Sequence, residues 1–181
     1  SREDKVDVLL EKQITSIAYE QIEEADGSLP VLRPFSQIGG RMTASIAARL
    51  LQNNWGGKGI LLGGVPGVPP AEVVVLGGGV VGYFATEAFL GLGAHVTVID
   101  NNVNVLQKIS ERFPNVVTML STKRTIEKAT SFADVVVGAI LISGGRTPTL
   151  VTREMIRAMK PRSVFIDVSI DQGGCSETSR P

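Results

Sequence analysis

The chain has 181 residues, enough for one domain of ordinary size or one domain with a piece of another. Hydrophobic residues make up 43%, which supports a sizeable core and excludes a disordered chain. Lys+Arg and Asp+Glu balance at 18 each, so no net field draws the chain to nucleic acid or acidic lipid, and a phosphate ligand has to be held by backbone dipoles.

A single Cys excludes an internal disulfide framework and fits a reducing compartment. With a single His, no imidazole-rich metal site can form, and no metal is expected. There is no basic-then-apolar leader and no apolar stretch long enough to span a bilayer, so the expectation is a cytoplasmic protein without a membrane partner.

In chain order, residues 4–13 read as a short amphipathic helix, with Val6, Leu9 and Leu10 at helical spacing. Residues 14–19 are strand-like, and 20–27 read as a polar surface loop or a hairpin turning at Asp26-Gly27. Residues 29–34 hold too much proline for a helix or a central strand. Ser36 is placed to cap a long helix running to about Gln52, with Ile38, Met42, Ile46 and Leu50 along one face. Gly39-Gly40 inside it lowers helix propensity by about 1 kcal/mol each relative to Ala, which predicts close approach of another backbone. Asn53 to Lys58 breaks that helix, and residues 60–70 form an apolar hairpin or turn.

From there strands alternate with helices as a parallel sheet requires. Strands are expected at 72–76, 94–100, 116–120, 134–140 and 163–168. Helices are expected after Gly82 as far as Gly91, at 104–113 with Pro114 stopping it, at 125–130, and from the Thr152 cap with Glu154 in its first turn to Pro161. A loop covers 144–148. The expected fold class is a Rossmann-type doubly wound parallel α/β sheet with helices on both faces. Ligands bind such sheets outside the carboxyl ends of the strands. The functional segments are therefore expected at 77–82, 100–102, 121–122, 138–142 and 169–174.

The first strand ends in Gly77-Gly78-Gly79-Val80-Val81-Gly82, with glycines at G-x-G-x-x-G spacing. Gly77 serves the tight turn, Gly79 lets backbone come close to a pyrophosphate, and Gly82 lets the helix sit close on the sheet. The helix N-terminus, with Val80 and Val81, offers free N–H groups and the positive dipole end to the phosphates. Asp100 lies eighteen residues beyond Gly82 at the end of the second strand, where a carboxylate accepts the adenine-ribose hydroxyls. Strand, glycines, helix and acid together are specific where the glycine spacing alone is not. They indicate a nicotinamide dinucleotide; FAD ranks well below NAD because no flavin-enclosing segment is visible.

Other candidates have plain structural readings beside the chemical ones. Asp171-Gln172-Gly173-Gly174 reads equally as a ligand-edge carboxylate and as a turn. Ser121-Thr122 reads first as a helix cap, and Lys123-Arg124 as a solvated face. Cys175 is a poor nucleophile, because His95 starts a strand and lies at the wrong end of the sheet to activate it.

From about Leu9 to Pro181 the sequence resembles the alanine dehydrogenase / pyridine nucleotide transhydrogenase family. The resemblance is carried by residues 15–20, Gly39-Gly40-Arg41-Met42, the Leu-Leu-Gly-Gly-Val-Pro-Gly-Val-Pro-Pro run at 61–70, the glycines at 77–82, Leu150 to Met155, and Ile166 to Cys175. The 61–70 run is highly specific to the family, and Asp171-Gln172-Gly173-Gly174-Cys175 looks like its alanine dehydrogenase branch.

The resemblance implies reversible oxidative deamination of L-alanine to pyruvate and ammonia with NAD as hydride acceptor. It places Asp100 on the adenosine ribose, and Ser36, Ser121, Thr122, Ile140 and Leu141 along the cofactor. Asp171 becomes the catalytic carboxylate beside the nicotinamide, and Arg180 a cofactor contact. Val105 stands where the family often has a basic residue, and Tyr83 where it has a smaller one. The resemblance also implies that residues 1–34 are a remnant of, or connection to, a substrate domain, and that 35–181 form the NAD-binding domain. The substrate-carboxylate Arg, a Lys and a catalytic His are expected upstream, the fragment is expected to be inactive alone, and the parent to be a homo-oligomer, hexameric in the family. The rival readings are the NAD(H)-binding domain of a proton-translocating transhydrogenase and a non-catalytic NAD-sensing module.

Overall fold

The computed structural model describes residues 2–142 and 145–180; Gly144, expected in the loop before Pro148, lies outside the described residues, as do Ser1, Ser143 and Pro181. The chain divides into two compact units, Ser1–Pro34 and Phe35–Pro181.

The first unit carries helix α1 (Arg2–Glu11) and a single 3-10 turn at Tyr19–Gln21. The strand expected at 14–19 does not form: residues 14–18 have no regular structure. Ile14, Thr15 and Ile17 favour extended backbone, but a strand also needs a partner ladder, and among the described residues no β-ladder includes 14–18. The polar loop closes as a turn, with Gly27 N donating to Glu24 O at 2.9 Å and Ser28 N to Asp26 Oδ1 at 2.9 Å.

Helix α2 runs Leu32–Leu50, which corrects three expectations. Residues 32–34 are helical despite the proline, because Pro34 falls in the first turn, where its missing N–H would have had no intrahelical acceptor. Ser36 is consequently the fifth helical residue and not the cap. The face that is buried is Gly40, Thr43, Ala44 and Ala47, continued by Leu51, while Ile38, Met42 and Ile46 are exposed. Close approach decides this: a Cβ on Gly40 would lie 2.4 Å from Val81 O and 3.0 Å from Ala85 N. Small residues let the two backbones meet, as the glycine pair suggested, and large ones on that face would hold them apart.

The described residues then form five strands and four more helices: β1 (Glu72–Leu76), α3 (Val80–Gly91), β2 (His95–Asp100), α4 (Val103–Arg112), β3 (Val117–Leu120), α5 (Lys123–Phe132), β4 (Val135–Gly138), α6 (Arg153–Ala158) and β5 (Val164–Asp167). All pairings are parallel and the order is β3-β2-β1-β4-β5, the expected doubly wound sheet. β1 lies at its centre with β4 beside it, and they bury Val73 to Leu76 and Val135 to Gly138, a continuous apolar run of the kind a two-sided sheet demands.

Two apolar clusters cover the two faces. Val73, Val75, Val96 and Val98 pack with Ala44 and Ala47 of α2, Ala85 and Phe89 of α3, and Leu106 and Ile109 of α4. Val74, Leu76, Ile99 and Val136 pack with Ile126 and Ala129 of α5 and Met155 of α6. Each fully buried valine is worth about 1.5–3 kcal/mol, so the alternation along β1 stabilises both layers at once. Helix α3 begins at Val80, earlier than expected, so Gly82 lies inside its first turn.

Candidate functional site

The chain leaves β1 outward to β2 and β3, then returns to β4 and β5 on the other side. This reversal opens a crevice at the carboxyl ends of β1 and β4, the place where such sheets take ligands. Register brings Leu76 level with Ile99 and Gly138, Asp100 level with Leu120, and Gly138 level with Asp167.

Gly77 turns the chain out of β1 with φ +99°, a left-handed conformation, and a Cβ there would sit 2.6 Å from Ala139 O. A Cβ on Gly78 would meet Val105 Cγ1 at 2.6 Å and Ile109 Cδ1 at 2.8 Å; one on Gly82 would lie 1.8 Å from Gly77 O. Gly79 differs from these three: a Cβ there would meet nothing within 4 Å. Gly79 is the N-cap of α3, and the first helical bond runs from Tyr83 N to Gly79 O at 2.8 Å. The N–H groups of Val80, Val81 and Gly82 therefore have no intrahelical acceptor, and they carry the positive end of the helix dipole.

Asp100 closes this turn from β2. Its Oδ2 accepts from Gly78 N at 2.6 Å and its Oδ1 from Asn102 N at 2.8 Å. Each carboxylate oxygen retains capacity for a further donor. Ser121 follows β3, its N donating to Asp100 O at 2.8 Å. Thr122 caps α5: its Oγ1 accepts from Thr125 N at 3.1 Å, and Thr125 Oγ1 accepts in return from Thr122 N at 2.9 Å. Lys123 and Arg124 are exposed beside it. Ser36 is partly buried one turn before Gly40.

On the other side, Ile140 is partly buried and Leu141 exposed after β4. Asp171 sits in a 3-10 turn, Ile170–Gln172, followed by Gly173 and Gly174 with φ +106° and +75°. The turn reading holds, and the turn follows the carboxyl end of β5. Arg180 is exposed, its Nη1 donating to Glu177 O at 3.1 Å and Ser179 O at 2.6 Å. The turn is braced by Thr147 N donating to Gln172 O at 3.0 Å, and the side-chain oxygens Thr147 Oγ1 and Gln172 Oε1 are buried without a partner among the described residues.

Asp167 was not singled out from sequence, and Ser169 only as the first residue of the segment expected at 169–174. Asp167 Oδ1 accepts from Ser169 N at 3.0 Å and Oδ2 from Cys175 N at 2.9 Å, while Ser179 Oγ donates to the same oxygen. Ser169 Oγ donates to Ile140 O at 2.6 Å and accepts from Ile140 N at 3.1 Å. The signal available was an acid at the end of an otherwise apolar strand, Val164-Phe165-Ile166-Asp167. Cys175 is fully buried; burial first, then the neighbouring Asp167 carboxylate, push its thiol far above the usual range, so it is no nucleophile. His95 is exposed at the amino end of β2, with Nδ1 3.3 Å from Glu72 Oε1, remote in the sheet from the crevice.

The family model described as "Alanine dehydrogenase/PNT, C-terminal domain" matches residues 43–181. The alanine dehydrogenase of Mycolicibacterium smegmatis is 48% identical over 176 residues, covering 97% of this chain and 47% of that protein. Among solved structures, an L-alanine dehydrogenase superposes with TM-score 0.88 at 46% identity, over 91% of this chain and 46% of the other. A transhydrogenase from Sinorhizobium meliloti shares the fold, with TM-score 0.82 at 24% identity, over 98% of this chain and 53% of the other. The chain thus spans about half the length of the curated relatives it matches.

Proposed function

Since the chain belongs to the alanine dehydrogenase/PNT, C-terminal domain family, we propose that it is the NAD-binding domain of an L-alanine dehydrogenase, which converts L-alanine reversibly to pyruvate and ammonia. Gly79 is the observation that carries the cofactor assignment. Gly77, Gly78 and Gly82 each answer to a protein neighbour, whereas the space beside Gly79 is open, and a pyrophosphate fits there against the N–H groups of Val80, Val81 and Gly82. Asp100 takes the adenosine-ribose hydroxyls, with Ser36, Ser121 and Thr122 along that half of the cofactor. Ile140, Leu141 and Arg180 serve the nicotinamide half.

When bound, NAD supplies the hydride acceptor. Asp171 then lies beside the reacting amine, where its carboxylate stabilises positive charge developing on the substrate and orients the amine and the attacking water. The groups that hold alanine's carboxylate and exchange its proton belong to the rest of such a protein, with residues 1–34 on the substrate side. A homo-oligomeric, cytoplasmic parent completes this reading. No described helix is long and apolar enough to cross a membrane. The more distant likeness to the transhydrogenase and the Asp171 segment both favour the dehydrogenase branch over that rival.

The test is kinetic. The full-length protein reduces NAD in the presence of L-alanine, and Asp171→Asn lowers turnover by roughly 10²–10³-fold, the loss typical of one preorganised electrostatic group. NAD affinity stays within about twofold. Absence of alanine-dependent NAD reduction by the full-length protein removes the dehydrogenase reading; near-normal turnover in Asp171→Asn removes only Asp171, leaving it as a turn former.

A further inference from the structure

We propose that Ser169, held by Asp167, is a positioning residue that sets the nicotinamide half of the crevice without touching the cofactor, an inference that rests on the dinucleotide reading above. Ser169 is 5% exposed and uses every polar atom it has on its surroundings. Its N–H donates to Asp167 Oδ1 at 3.0 Å, and its carbonyl accepts from Gln172 N and Gly174 N, both at 3.0 Å. Its hydroxyl makes the two-way tie to Ile140, donating to the carbonyl and accepting from the amide.

The turn that carries Asp171 is thereby closed on its own base and fastened to the segment leaving β4. Asp167 extends the fastening to the end of the described chain. Its Oδ2 takes Cys175 N and the Ser179 hydroxyl, next to Arg180. Three segments from three places in the sequence are held by Ser169 and Asp167: the Ser169 hydroxyl ties Ile140, the Ser169 carbonyl closes the Asp171 turn, and the Asp167 carboxylate takes Cys175 N and the Ser179 hydroxyl. Among the described residues, none of the hydrogen bonds of this network runs to Gly79 or Asp100, which belong to the β1–β2 side. A dinucleotide lies across the crevice, so its two halves meet separate supports.

The consequence is a selective effect. Ser169→Ala in the full-length protein is expected to weaken NAD about 5- to 20-fold, as loss of one or two buried hydrogen bonds would, while ADP-ribose, which lacks the nicotinamide, binds within about twofold of the unmodified protein. Ser179→Ala, which loosens only the Asp167 arm, is expected to act in the same direction and less. Isothermal titration calorimetry with both ligands reads this directly. Equal weakening of NAD and ADP-ribose, or no change in either, overturns the positioning role. Should Ser169→Ala not fold, the ratio in Ser179→Ala decides it, and a ratio unchanged there overturns the proposal. If the unmodified protein binds neither ligand, the dinucleotide reading itself has failed.

Discussion

Asp100 Oδ2 accepts a hydrogen bond from Gly78 N at 2.6 Å, so the acid that ends β2 is tied to the glycine turn that ends β1. The two features recognisable at a distance in the sequence are thus one structural unit. Asp100 keeps the turn in place, and the turn fixes where the carboxylate stands.

The first prediction is preference for NAD over NADP. The Asp100 carboxylate accepts ribose hydroxyls and repels a 2′-phosphate, and Asn101-Asn102 beside it offers no guanidinium to hold one. A hydrogen bond to a charged group is worth about 1.5–3 kcal/mol, so Asp100→Ala should weaken NAD roughly ten- to hundredfold. Calorimetry that finds NADP bound as tightly as NAD by the unmodified protein would rule this out.

Gly79 and Gly82 should separate binding from folding. Gly79 has φ −63° and open space around it, so Gly79→Ala should leave the midpoint of urea unfolding nearly unchanged and yet obstruct NAD. In Gly82→Ala the new methyl would lie 1.8 Å from Gly77 O, and the variant should lose more than about 3 kcal/mol or fail to fold. Normal NAD binding by Gly79→Ala would show that the open space is not the phosphate site.

Asp134 should contribute a pH-dependent part of the stability. It sits just before β4, where Lys58 and Lys160 both pair with its Oδ1, the latter at 3.1 Å, and Glu72 N donates to Oδ2 at 3.0 Å. Burial raises its pKa, but the Lys58 bond, the Glu72 amide and Lys160 outweigh burial and hold it below the usual range. A carboxyl depressed in the folded state stabilises above its unfolded pKa, near 4, and that stability is lost as pH falls through the folded value. Asp134→Asn should therefore cost about 1.5–3 kcal/mol at pH 7 and progressively less below about pH 4. Urea titrations of both proteins across that window would show the gap closing; a constant gap would contradict it.

Cys175 should be silent in the folded protein. Its sulfur is buried against Gly138, where an added Cβ would lie 2.3 Å from Sγ, and the thiolate needed for reaction is disfavoured by burial and by Asp167. Labelling by a thiol-reactive dye at pH 8 should track unfolding, with no fast phase. Stoichiometric modification of native protein within seconds would contradict the burial.

How much was legible in the sequence follows from the range of each interaction. The alternation of β-branched runs with helical stretches, the G-x-G-x-x-G turn and the acid after β2 depend on neighbours in sequence, because backbone sterics and hydrogen-bond periodicity act over a few residues. They determined the doubly wound class and located Gly79 and Asp100. The strand expected at 14–19 failed because a strand is completed by a partner that local sequence does not specify. The buried face of α2 was misread because helix-to-helix distance, set by Gly40 against Val81, selects small residues over the larger Ile38-Met42-Ile46 stripe. The Ser169–Ile140 tie joins residues twenty-nine apart, and only the parallel pairing of β4 with β5 brings them within a hydrogen bond.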